Sequence, residues 1–309
     1  MKEITTCEFC GSTQYRLIFT GHDRLLGIPG IFSWYECIQC GLLFLSPQPD
    51  EEEIQQYYPD EYIPFQTAIQ DERSWLRRTD RRYGLYKRCR AIQQLTSKPG
   101  RILDVGCATG IFLDGMQQRG WEPNGVEPSS FAAEYARRRF GLDVHLGYLE
   151  DAHFPDQYFD VITFWDVIEH VPSPMLILQE VERILKPGGW LVLSMPNPGA
   201  WDRGWFNEYW AGWDIPRHFH LFSTQVLQRY LERQNLRLER FRNFTGTYGT
   251  YLIDLQLWLP NTSLPPAVQA GILAIYRSIP FRALAQPYYF LVQHQNKSPT
   301  MVAFARKNG

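Results

Sequence analysis

Two hydrophobic patterns alternate along the chain. Short continuous apolar runs, suited to strands buried on both faces, recur from residue 101 onward. Ile102, Leu103 and Val105 form the first, and residues 121–126, 142–146, 159–166, 190–194, 236–245 and 300–307 form the others. Helical spacing fills the intervals. Ile111 opens a helix that stops near Gly120, and Ser129 or Ser130 caps another that ends at Gly141. A further helix ends at residues 185–189, and Ser223 or Thr224 caps an amphipathic helix over residues 225–233. Strands alternating with helices predict an α/β sheet.

The flanking stretches read differently. A strand-like run from Gly41 is stopped by Pro47 and Pro49, and Asp50 caps a short helix that ends before Pro59. Tyr57, Tyr58, Tyr62 and Phe65 form an aromatic cluster there, suited to a lid over a ligand or to packing between two parts of the fold. Residues 67–96 predict a long helix, with Trp75, Leu76, Tyr83, Leu85, Tyr86, Ile92 and Leu95 near helical spacing. Residues 251–292 are apolar and aromatic, but Pro260, Pro265 and Pro266 argue against a membrane-spanning helix. That insertion could cover an active site, form a dimer face or rest on a membrane surface.

Composition narrows the class. The 309 residues are 44% hydrophobic and 21% charged, as in a soluble globular protein large enough for one domain or two. A net charge of −2 gives no general capture of nucleic acid. The helix over 67–96 carries Arg73, Arg77, Arg78, Arg81, Arg82, Lys87, Arg88 and Arg90, but also Asp71, Glu72 and Asp80, so it reads as a solvated face. The N-terminal residues lack an apolar signal core, and the expected location is the cytoplasm.

Four of the six cysteines form two Cys-x-x-Cys pairs, Cys7 with Cys10 and Cys37 with Cys40, 26 residues apart. Gly11 and Gly41 follow the second cysteine of each pair. In a reducing compartment this spacing predicts a zinc ribbon over residues 1–46, in which four thiolates hold a structural zinc and leave no open position.

The stretch 101–110, RILDVGCATG, is a strand followed by a glycine-rich turn that opens a helix. Gly106 and Gly110 let backbone approach a ligand, with Cys107 and Ala108 between them. Glu127 lies twenty-three residues after Asp104, placed to accept from ribose hydroxyls. With GVEPS, LEDAHFPDQYFDVITFWDVIEHV and EVERILKPGGWLVLSMPN in order over about residues 98–200, the chain resembles class I S-adenosylmethionine-dependent methyltransferases. The resemblance is to the broad group that includes ubiquinone-biosynthesis and sugar methyltransferases, many bacterial members of which carry an N-terminal ribbon.

That resemblance implies a doubly wound, mostly parallel seven-stranded sheet whose last strand runs antiparallel beside the fifth. It implies a methyltransferase domain over residues 98–309, joined to the ribbon by a linker and helical lid segment over 47–97. It puts Asp104, Gly106, Cys107, Gly110 and Glu127 around S-adenosylmethionine, Leu149 and either Glu150 or Asp151 at the adenine, and Asp166 beside the methyl donor. Beyond the fifth strand, Trp201, Trp205, Trp210 and Trp213, with Phe206, Tyr209 and Phe219, could wall an acceptor pocket. Family members often show an Arg-His-x-His-x-Phe-Ser run there, which here is Arg217–Ser223 in outline. Extended alternation would set His218 and His220 on one side, with His220 the first candidate base and His218 the second. His170 and Asp166 remain alternatives. The expected acceptor is a small molecule or a sugar- or lipid-linked intermediate. The rival readings are an RNA methyltransferase whose ribbon reads RNA, and a non-catalytic cofactor-binding scaffold. The element methylated and the oligomeric state are not legible.

Overall fold

The computed structural model describes residues 1–58, 68–244 and 247–309. Three antiparallel strands open the chain: β1 (Tyr15–Gly21), β2 (Phe32–Cys37) and β3 (Leu43–Ser46). Asp50 then caps α1 (Glu51–Gln55) by accepting from the amides of Glu52 and Glu53, while the Glu53 side chain accepts from the Asp50 amide. Tyr62 and Phe65 of the aromatic cluster lie outside the described residues. The long helix expected over 67–96 is shorter, α2 at Trp75–Gln93. Ser74 sets its start by accepting from the Arg77 amide, and Ile69–Asp71 makes a separate 3-10 turn.

The central alternation follows as β4 (Arg101–Val105), α3 (Ile111–Gln117), β5 (Glu122–Glu127), α4 (Ser130–Phe140), β6 (Asp143–Leu146), β7 (Phe159–Trp165), α5 (Pro174–Ile184) and β8 (Leu185–Pro196). The helix expected to end at residues 185–189 has its last residue at Ile184. Pro187 cannot continue it, and Leu185 already pairs with Phe159 in the sheet. Next come α6 (Trp201–Phe206), β9 (His220–Leu221), α7 (Thr224–Arg233), β10 (Leu236–Arg242) and α8 (Thr247–Trp258). The chain then runs through α9 (Pro266–Arg277), α10 (Ile279–Leu284) and α11 (Gln286–His294) to β11 (Thr300–Lys307).

The seven-stranded sheet has the order β10-β11-β8-β7-β4-β5-β6. The run from β8 to β6 is parallel, and β11 is antiparallel to both β8 and β10. Alternate side chains face two cores. Ile102, Val161, Val192 and Phe304 pack with Ile92, Phe112 and Leu113. Leu103, Ile162, Leu191 and Leu193 pack with residues of α5 and α7, and also with Cys7, Phe9 and Phe44 from the N-terminal segment. The first sheet takes its fourth strand from late in the chain: β9 pairs antiparallel with β3, Phe44 opposite His220. The N-terminal strands are thus built into the same core as the main sheet.

Of the four tryptophans expected to wall a pocket, Trp210 and Trp213 are buried with Trp34, Phe206 and Phe219 in a third core. Trp205 remains exposed and stacks on Tyr288. Beneath them lie two wholly buried carboxyls, Asp202 and Asp254. Asp202 accepts from Trp210 Nε1 at 2.9 Å and Asp254 from the Ala211 amide at 2.6 Å, while one oxygen of each finds no partner among the described residues. Burial pushes Asp202 up to about 6, and burial followed by the neighbouring carboxylate pushes Asp254 up to about 9. The folded chain therefore holds protons that the unfolded chain releases at about pH 3.9, so this pair's contribution falls as pH rises from about 4 to about 9. Asp254→Asn should flatten that decline in melting temperature and stabilise the protein at its alkaline end. A variant whose melting temperature falls as steeply as that of the wild type would contradict the assignment.

Candidate active site

At the end of β4 the chain turns through Gly106–Gly110 into α3. Gly106 (φ +69°) and Gly110 (φ +77°) are left-handed, and a Cβ on either would lie 2.6 Å from a neighbouring side chain, Val167 or Leu142. Only glycine fits these two positions. Ala108 between them also has a positive φ of 47°, a strained conformation of the kind that persists where surrounding contacts enforce it. Those contacts come from Glu127, at the end of β5. One carboxylate oxygen accepts from the Ala108 amide at 2.8 Å and the other from the Ser129 amide at 2.9 Å. Each oxygen keeps a further lone pair for a ligand hydroxyl.

Asp104 is buried and accepts from Thr163 Oγ1 at 2.6 Å, and burial pushes its carboxyl up to about 7. Cys107 turns inward: its amide donates to Val126 O, and its thiol packs under Gly125. It shapes the loop from beneath. Leu149 is buried at the start of a 3-10 turn, while Glu150 is exposed on it. The left-handed glycines, the strained loop and the carboxylate with free lone pairs suit an adenosine-bearing cofactor, with Asp104, Gly106, Gly110, Glu127 and Leu149 able to hold it.

The second half of the site starts at the end of β7. Asp166 has φ 58°, accepts from Ser194 Oγ at 2.8 Å and lies 3.8 Å from Arg88 of α2. The next residue, Val167, abuts Gly106, so this segment borders the glycine turn directly. Glu169 and His170 follow in a short 3-10 turn. Glu169 is 1% exposed and neither carboxylate oxygen has a hydrogen-bond partner among the described residues. Burial and then the nearby Asp166 charge push its carboxyl well above the usual range. His170 Nδ1 lies 2.9 Å from Arg217 O and 2.9 Å from Tyr58 Oη. The carbonyl requires a proton on Nδ1, which leaves Nε2 as the lone-pair nitrogen. His218 Nδ1 is likewise 2.9 Å from Gly212 O, and its ring meets His170 edge-on with centroids 4.6 Å apart. Burial lowers both imidazoles, His170 to about 3 with the adjacent His218 assisting, so both are neutral at physiological pH. Donor atoms of Glu169, His170 and His218 all lie within 4.8 Å of one another, a set of two imidazoles and one carboxylate that could hold a divalent cation.

The alternation expected for the two later histidines does not occur. The amides of Arg217 and His218 both donate to Asp214 O, so the chain is still turning there and becomes extended only at His220. His218 joins His170. His220, the first candidate base, sits in β9 with Nδ1 3.2 Å from Val171 O, outside the three-residue group, and burial pushes it down to about 4.

Arg217 anchors this arrangement. Its guanidinium is wholly buried between Asp23, from the loop after β1, and Asp214. Nη1 and Nη2 meet the two Asp23 oxygens at 3.1 and 2.9 Å, while Nε and Nη2 meet Asp214. Burial opposes the Arg217 charge, but the two carboxylates outweigh it and raise its pKa. Sequence reasoning gave Asp23 and Glu169 no role: Asp23 carries no local motif, and Glu169, although inside the VIEHV stretch, carries no signal of its own there.

At the far N-terminal end, Cys7 Sγ lies 3.5 Å from Cys40 Sγ and Cys10 Sγ 3.5 Å from Cys37 Sγ, with all four within 4.8 Å. Four sulfurs at about 2.3 Å from one tetrahedral zinc would be about 3.8 Å apart, so the set could hold that metal. The Gly11 and Gly41 amides donate back to Cys7 O and Cys37 O, closing both turns.

Comparison with known proteins agrees with this geometry. A methyltransferase-domain family model matches residues 77–240, more than half of the chain. The chain is 32% identical over 180 residues to a ubiquinone biosynthesis O-methyltransferase of Proteus mirabilis, covering 53% of this chain and 71% of that protein. It is 36% identical over 103 residues to the protein of the same name from Alkalilimnicola ehrlichii, covering 31% of this chain. The chain spans only 42% of that relative's length. A crystal structure of an S-adenosylmethionine-dependent methyltransferase from Archaeoglobus fulgidus shares the fold with a TM-score of 0.50 at 18% identity, over 74% of this chain and 94% of that one. With the glycine turn, the sheet order and the family match in agreement, the chain belongs to the methyltransferase-domain family and has the fold of S-adenosylmethionine-dependent methyltransferases.

Proposed function

We propose that the chain transfers a methyl group to a hydroxyl oxygen of a small-molecule acceptor, free or carried on a sugar or lipid. The observation that carries this reading is the buried carboxylate of Glu169, without a hydrogen-bond partner among the described residues, beside two neutral histidines and two residues after Val167, which abuts the glycine turn. S-adenosylmethionine, when bound, supplies a methyl carbon already made electrophilic by its sulfonium. The protein must then orient the acceptor and take its proton. Glu169 is the better base, because burial and the Asp166 charge raise its carboxyl above the usual range, whereas burial lowers His170, His218 and His220, which serve as acceptors or ligands. Tyr58 steadies His170 from α1's C-terminal side. A divalent cation held by Glu169, His170 and His218 would lower the acceptor hydroxyl's pKa. The relatives named O-methyltransferases support oxygen as the element methylated. Part of the basic helix is engaged within the fold. Arg78 donates to Glu72 O, Arg88 reaches Asp166, and the Asp80 carboxylate binds Arg282.

Incubation with radiolabelled methyl donor and matched hydroxyl and amine acceptors tests this. Label should appear in the hydroxyl series, as alkali-stable ether. Transfer confined to amines would contradict it.

Cys7, Cys10, Cys37 and Cys40 are proposed to hold one structural zinc. Because these cysteines share a core with β4, β7 and β8, zinc loss should lower the melting temperature of the whole domain and its methyl-transfer rate together. Cys40→Ser should show both effects in protein whose zinc content is measured. Full activity without zinc would contradict the role.

A further inference from the structure

Apolar side chains are left uncovered on α9, α10 and α11. Ile275 is 61% exposed, Ile279 56%, Leu284 80% and Phe290 63%. Val268 and Leu291 are exposed as well. The charge around them has one sign. No Asp or Glu occurs in α9, α10 or α11, whereas Arg277 closes α9 and Arg282 lies in α10.

This surface continues onto α2. Arg282 of α10 binds the Asp80 carboxylate of α2 at 2.8 and 3.0 Å, which joins the two helices and neutralises an acid on the basic helix. The exposed residues of α2 include Trp75, Tyr83 and Tyr86, interspersed with exposed Arg77 and Arg82, and Arg73 is exposed just before it. Exposed aliphatic groups, aromatic rings with polar edges and exposed cations are the ingredients of a helix surface lying at a lipid–water boundary. No helix among the described residues is long and apolar enough to cross a membrane, so the contact is superficial.

We propose that α9–α11, with the adjoining face of α2, seat the enzyme on an anionic phospholipid surface. The charge argues for this occupant over a second copy of the chain. Two copies meeting through this face would oppose Arg277 and the exposed Arg73, Arg77 and Arg82 with no acid from α9–α11 to meet them, whereas phosphodiester headgroups pair with these cations. The inference concerns where the enzyme works and is independent of which acceptor it methylates.

Co-sedimentation of the full chain with vesicles of phosphatidylglycerol and phosphatidylcholine in equal parts tests it, beside vesicles of phosphatidylcholine alone. Binding should require phosphatidylglycerol and weaken as salt is raised. The triple variant Ile279→Glu, Leu284→Glu, Phe290→Glu should bind at least about tenfold more weakly. Its affinity for S-adenosylmethionine, measured by calorimetry, should stay at the wild-type value, which shows that the fold is kept. Arg277→Ser, a milder change, should weaken binding by about fivefold, as expected for one cation near the headgroups. Equal binding to both vesicle types would overturn the proposal, as would wild-type binding by the triple variant. A wild-type dimer in light scattering that the triple variant dissociates would assign the face to a second copy and overturn it too.

Discussion

Glu169→Gln should lower the methyl-transfer rate by at least about a hundredfold while leaving S-adenosylmethionine affinity nearly unchanged. Glutamine keeps the shape of the side chain and removes its ability to carry charge. Glu169 is buried, has no hydrogen-bond partner among the described residues, and sits within 4.8 Å of the histidine donors. Evolution rarely retains such a carboxyl for packing, because burying it unpaired costs stability. Removing the charge should therefore stabilise the fold even as it abolishes turnover, which separates a chemical role from a structural one. His170→Gln should reduce the rate as well, since a ring nitrogen of His170 belongs to the same three-residue group. If magnesium raises the wild-type rate and has no effect on the Glu169→Gln protein, the carboxylate acts as a cation ligand. If the wild-type rate ignores magnesium, it acts as the base. A glutamine variant within a few-fold of the wild-type rate would remove Glu169 from the chemistry.

Arg217→Met should destabilise the protein by about 3–5 kcal/mol, the cost of leaving buried charge without its partner. Two carboxylates depend on this one guanidinium. Asp23 is fully buried and its other contacts are the amides of Leu25 and Leu26, while Asp214 is held below the usual carboxylate range, despite burial, by the Arg217 charge. The backbone carbonyl of Arg217 also accepts from His170, so the loss should reach the proposed acceptor site and not only the fold. Adding Asp23→Asn to Arg217→Met should recover part of the stability, because it removes one stranded charge. Denaturant unfolding measures both. A loss under about 1 kcal/mol, the range of exposed pairs, would mean that the network does not carry the load assigned to it.

How far the sequence could be read follows from how local each signal is. The glycine turn, Asp104 and Glu127 lie on consecutive strand–turn–helix units, so their spacing alone expresses their geometry. The cysteine pairs are legible for the same reason: each pair is a closed turn, and only the gap between them is open. Of the proposed acceptor cluster, His218 and His170 were legible as candidates, but their grouping with Glu169 was not. Glu169 and His170 come from the end of β7, His218 from a loop beyond β8, and Tyr58 from the segment after α1, and no periodicity links them. The alternation assumed for His218 and His220 is absent because the chain is still turning about Asp214. The tryptophan-rich loop looked like a pocket wall because aromatic density marks a pocket and a core equally, and Trp210 and Trp213 proved to be core. Nor does any pattern in residues 1–46 reveal that β9 completes their sheet, since strand pairing across that separation depends on the tertiary fold.

The most direct test of the account is a crystal structure of the protein with S-adenosylhomocysteine. The cofactor ribose should bind Glu127 beside the Gly106–Gly110 turn, and its sulfur should face the Asp166 end of β7, opening toward Glu169, His170 and His218. A sulfur directed away from those three residues, with the cofactor otherwise in the turn, would contradict the assignment of the acceptor site.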